Sequence, residues 1–92
     1  MRPPRQIDGA DVIIWAWSER KPFFAMPCSD RKTSVAIYGL AIVRYPETGK
    51  VYRFSCNAEW ETENDSDHQT VEDAAGAESS QYDVQAVRWH QW

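Results

Sequence analysis

The segment Val51 to Trp60, VYRFSCNAEW, sets Tyr52, Phe54, Cys56, Ala58 and Trp60 against Val51, Arg53, Ser55, Asn57 and Glu59 in unbroken alternation. A period of two cannot lie on a helix, whose faces recur every 3.6 residues. It predicts a strand with one core face and one wet face. The preceding run Ser34 to Tyr45, SVAIYGLAIVRY, is β-branched and aromatic throughout, and PETGK between the two is turn-forming. Together they predict an antiparallel hairpin. Gly39 interrupts the first strand and predicts a bend or a close crossing.

The other elements follow from the same patterns. Ala10 to Trp17, ADVIIWAW, is apolar on both faces and predicts a central strand, with Ile13, Trp15 and Trp17 opposite Val12, Ile14 and Ala16. Phe23 to Met26 predicts a short strand ended by Pro27, and Tyr82 to Trp92 a last strand with a bulge where its parity changes. Between them, Val71, Ala74 and Ala75 recur at helical spacing, which predicts a short helix over about His68 to Ser79. Ser66 with Gln69, or Thr70 with Asp73, supplies its cap. The expected fold is α+β: a single antiparallel sheet of four to five strands, in chain order β-β-β-β-α-β, with one short helix on one face. Such a helix carries only small apolar residues. It leaves aromatic surface to be covered by loops, by dimerisation or by a partner.

A chain of 92 residues makes a single domain over 1–92, since it buries roughly 60 to 65% of its extended surface and cannot hold two cores. Residues 1–9, with a Pro pair and no apolar period, read as a flexible arm. No apolar run approaches the roughly 18 to 20 residues of a membrane span, and Asp8 and Asp11 interrupt any export signal. A cytoplasmic protein is expected, with Cys28 and Cys56 as free thiols.

Catalytic chemistry finds no motif. Asp65, Asp67, His68 and Glu72 could approach one ion, but Thr70 and Gly76 stand where a calcium loop needs Gly and Glu, and there are no paired cysteines for zinc. No metal and no cofactor are expected. Cys56 falls on a core face; Cys28, near Asp30, Arg31 and Lys32, has no partner motif. His90 between Trp89 and Trp92 suggests packing. Pairs drawn from Glu59, Glu61 and Glu63 have a glycosidase-like separation, but nothing distinguishes the environments of the two carboxylates. For nucleic acid, Arg2, Arg5, Arg20, Lys21, Arg31 and Lys32 lie in loops of a chain whose net charge is −4. No nucleic acid and no membrane are expected as partners.

The charge is distributed unevenly. Residues 57–92 hold one base against nine acids, and Glu59, Glu61, Glu63, Asp65 and Asp67 share one parity. An extended backbone through Trp60 would place them on one side, until Asn64 to Asp67 turns into the helix. The sequence therefore predicts a non-catalytic interaction module that meets a protein partner with a basic face, or a second copy, through Glu59, Glu61, Glu63 and Asp65 with Trp17 and Trp89. The rival expectation is a small enzyme or ligand-binding domain using Cys28 or His68 and an aromatic pocket.

Overall fold

The structure, a computed structural model, describes residues 1–28, 30 and 32–92. It is a small α+β fold, but its strands form two sheets where one was expected. In the larger, β1 (Gln6–Ile7), β2 (Ala10–Trp17), β5 (Gly39–Arg44), β6 (Val51–Cys56) and β7 (Thr62–His68) lie side by side in that order, all antiparallel. A sixth strand, β8 (His90–Gln91), shares the outer edge of β2 with β1. The smaller sheet pairs β3 (Phe24–Pro27) with β4 (Ser34–Ile37).

The expected hairpin forms between β5 and β6, with Arg44 opposite Val51 and Gly39 opposite Cys56. The long first strand, however, divides at Tyr38. Ser18 donates its N–H to Tyr38 O at 2.9 Å and Tyr38 donates to Cys56 O at 3.0 Å, so the main sheet holds this residue while β4 turns away to β3. Seven strands, not four, precede the helix.

Directly paired residues share a face, which defines two sides. One, here the tryptophan face, carries Val12, Trp15, Trp17, Ala41, Val43, Tyr52, Phe54 and Cys56. The other, the helix face, carries Ile14, Ala16, Leu40, Ile42, Val51, Arg53 and Ser55. Val12 lies with Trp15 and Trp17 because a bulge at Ile13 shifts the register between Val12 and Ile14. The sequence expectation, which grouped Ile13 with the tryptophans, is corrected by that one residue. No long final strand forms: Asp83 caps a 3-10 turn, Val84–Ala86, and Val87 and Trp89 pack into the helix face.

The helix face of β6 is not wet as its alternation implied. Val51 is 1%, Arg53 8% and Ser55 7% exposed. Val51 and Arg53 are covered by α1 (Val71–Gly76), shorter than expected at both ends: His68 closes β7 and Thr70 caps the helix at one end, and Ala77 leaves it in extended backbone at the other. Thr70 caps it, its Oγ1 accepting from Asp73 N at 3.0 Å, and Val71, Ala74 and Ala75 pack on Ile42 and Val51. Arg53 closes the other end, donating through one guanidinium nitrogen to Ala74 O at 2.9 Å and Ala77 O at 2.6 Å. A cation at helix C-terminal carbonyls satisfies acceptors that the helix itself cannot.

Among the described residues the tryptophan face carries no helix. The sheet curls over it until Pro4, Gln6, Ile7 and Asp8 beside β1 and Trp60, Glu61 and Thr62 at the start of β7 line one groove, although three strands separate them in the sheet. Trp60 fills the interior, edge-on to Trp15 and tilted against Trp17. Its ring lies on Gly39, where a Cβ would stand 2.5 Å from Cζ3 and 2.8 Å from Cε3 and Cη2. Residues 1–9 contribute β1, and Trp92 Nε1 donates to Pro3 O at 3.0 Å, with the Arg2 guanidinium 4.3 Å from the Trp92 ring centroid. Met1 is the one exposed large hydrophobic residue among those described. Loops and termini thus cover the aromatic surface.

Two substitutions test this packing. Gly39→Ala forces Trp60 off its seat and is expected to lower unfolding stability in urea by about 1 to 3 kcal/mol, as overpacking does. Arg53→Met keeps the aliphatic stem but leaves the Ala74 and Ala77 carbonyls unpaired, an expected loss of about 1.5 to 3 kcal/mol. The same titration should show it.

Candidate functional site

The segment that concentrates acid is not a strand end running into a helix. It is a hairpin loop followed by a complete edge strand. β6 stops at Cys56, and Asn57 builds the loop: its Oδ1 accepts from Glu59 N at 2.9 Å and Glu61 N at 3.0 Å, a role Asn side chains take at turns. Asn57 N also donates to Glu61 O, and Trp60 N to Asn57 O. The turn holds Trp60 at φ +62°, a left-handed backbone costing an ordinary residue about 1 kcal/mol, and aims its ring inward. Burial of the ring offsets that cost.

β7 then pairs with β6 from Val51 opposite His68 to Cys56 opposite Thr62, where a turn at Asn64 to Asp67 had been expected. The register shifts between Ser55 and Cys56, leaving Glu63 as the extra residue. One side for all five acids is therefore not what forms. Asp65 and Asp67 lie opposite Phe54 and Tyr52 on the tryptophan face, while Asn64 and Ser66 lie opposite Ser55 and Arg53 on the helix face. Glu61 and Glu63 are drawn to Asn57, whose Nδ2 donates to a carboxylate oxygen of each at 2.9 Å. Glu59 is exposed at the loop tip. Among the described residues β7 pairs only with β6, so its outer backbone groups form a free edge.

Of the six residues expected at a partner surface, Glu59, Glu61, Glu63 and Asp65 are contiguous along this loop and edge. Trp17 is joined to them through Trp60, 5.4 Å away between ring centroids, and stacks on Tyr38. Trp89 is not: it packs with Ile14, Val71 and Ala75 on the helix face. The sequence reading missed Asp8, at φ +52° in the turn after β1, which the curl of the sheet brings to the same groove as Glu61. Only its charge marked it. The field of this side of the sheet reaches Tyr45, whose hydroxyl is raised by burial first and then by Asp8 and, further down, Asp65, carboxylates from opposite edges.

Residues proposed for other chemistry are scattered. Cys28 follows β3 and donates its N–H to Thr33 O; Cys56 is fully buried, and burial pushes its thiol up to about 12. Asp30 does not stand free beside Cys28. Its carboxylate accepts from Lys32 N, Thr33 N and Thr33 Oγ1, and these bonds lower its pKa. His68 ends β7 with Nε2 2.8 Å from Ser66 Oγ, and burial, then Arg53, hold its pKa below the ordinary value. Both causes disfavour the charged form of the ring. His90 lies tilted against Trp15, with ring centroids 4.8 Å apart. Arg2 and Arg5 lie over Trp92, Arg20, Lys21 and Lys32 are exposed, and Arg31 is outside the described residues.

Among the described residues no three His, Cys, Asp or Glu side chains come together to hold a metal ion. A shallow groove of about 510 Å³ lies beyond the C-terminal end of α1, between Tyr82, Asp83 and Trp89. No helix among the described residues is long and apolar enough to cross a membrane. Comparison with protein-family models, with curated proteins and with solved structures returns no match for this chain.

The two thiols should separate cleanly. Iodoacetamide at neutral pH is expected to alkylate Cys28 in the folded protein and Cys56 only after unfolding, as peptide mass mapping will read.

Proposed function

We propose that this chain is a non-catalytic protein-interaction module whose acidic β7 edge receives a basic segment of another protein. The observation that carries the reading is a free sheet edge whose strand and adjoining loop hold Glu59, Glu61, Glu63, Asp65 and Asp67. Charges on an edge strand also discourage sheet-to-sheet aggregation, and a single charged side chain can serve for that. Five carboxylates in nine residues repel one another, and a cationic partner relieves the repulsion. Edge strands offer backbone hydrogen bonds for affinity and side chains for selectivity.

The same charge argues against a second copy on this edge. An antiparallel β7 to β7 pair would set Asp and Glu residues across from one another, which is destabilising. A basic protein fits better than a homodimer.

Asp65→Asn with Asp67→Asn tests the reading, since neither carboxylate is bonded to Asn57 and the loop should survive the change. Proteins captured from lysate at low ionic strength by the wild-type chain are expected to be basic, to elute with salt and to be lost by the double variant. Association of a captured partner should slow by about tenfold. Capture of the same proteins by the double variant in high salt would rule the reading out.

A further inference from the structure

The curl of the sheet leaves a seam of about 430 Å³ between its two outer strands. Gln6 and Asp8 border it on the β1 side, and Trp60, Glu61 and Thr62 on the β7 side. We propose that this seam is the docking slot for an extended, lysine- or arginine-rich segment of a partner protein, laid along β7 with a basic side chain between Asp8 and Glu61. The inference rests on the acidic-edge reading and adds to it a place, a conformation and a second wall.

Three observations support it. The charged residues bordering the seam, among those described, are Asp8 and Glu61, one from each side, and a single cationic side chain can meet both. One buried polar atom of a residue lining the seam is without a partner: Trp60 Nε1, in a side chain only 5% exposed. A buried donor is costly to leave unpaired, and the backbone carbonyls of an extended segment are the acceptors it lacks. Finally, β7 presents its unpaired backbone edge with Asp65 and Asp67 on one face and Asn64 and Ser66 on the other. A strand added there keeps a period of two, so its basic residues fall at alternate positions and the intervening ones meet small polar groups.

The test is a titration of the isotopically labelled full chain, at low salt, with a synthetic peptide alternating lysine and valine and with its glutamate counterpart. Amides of Gln6 to Asp8 and of Thr62 to Asp65 should shift together with the Trp60 indole N–H. The glutamate peptide should shift none of them. Asp8→Asn is expected to weaken the lysine peptide by about fivefold to tenfold. Asn accepts the left-handed backbone of that turn, so the variant should fold. If the peptide shifts β7 alone, or binds Asp8→Asn as it binds the wild type, the seam is wrong and the acidic edge stands. If it shifts neither edge, or binds Asp65→Asn/Asp67→Asn unchanged, both are wrong.

Discussion

The contact of Trp60 with Gly39 is the constraint on which the rest of the sheet depends. A sheet with a helix on one face only must cover the other by some means. Here it curls, and curling leaves an interior that must be filled from one end. Trp60 fills it because Asn57 replaces backbone acceptors in the loop and so stabilises a left-handed residue that points inward. Gly39 admits the ring because it has no side chain. Bulges at Ile13 and Glu63 supply the added twist that lets residues around β1 approach the start of β7.

The opposite face is organised by one charge. Arg53 lies where alternation placed a solvated residue, yet it is buried, because a six-residue helix ends above it with unpaired carbonyls. A helix so short has little stability of its own. Its capping at both ends, by Thr70 and by Arg53, joins it to β6, and the small residues Ala74 and Ala75 allow it to lie close to the sheet. The Arg53 charge is thereby directed into the fold and away from the acidic edge.

These two arrangements leave β7, like β1 at the other end of the sheet, paired on one side only among the described residues. Its residues are poor strand formers by composition, and their pairing with β6 is a tertiary effect that overrides propensity. Carboxylates that a linear reading ranks as equals acquire different roles. Glu61 and Glu63 buttress the loop through Asn57, Asp65 and Asp67 face the tryptophan side, and Asp8, remote in sequence, joins them across the seam.

The sequence by itself determined the β5 to β6 hairpin and the inward position of Cys56, and it narrowed the helix cap to two candidates, Thr70 among them, and Gly39 to a bend or a close crossing. Each of these is set by short-range period, turn chemistry or the absence of a side chain. The tertiary structure alone decided that Asn64 to Asp67 is strand, that Arg53 is buried, that Trp17 and Trp89 lie on opposite faces and that Tyr38 divides a strand between two sheets. Those outcomes turn on single-residue bulges and on which element covers which face. A one-residue shift reverses every side chain beyond it, and no local pattern records where the shift falls.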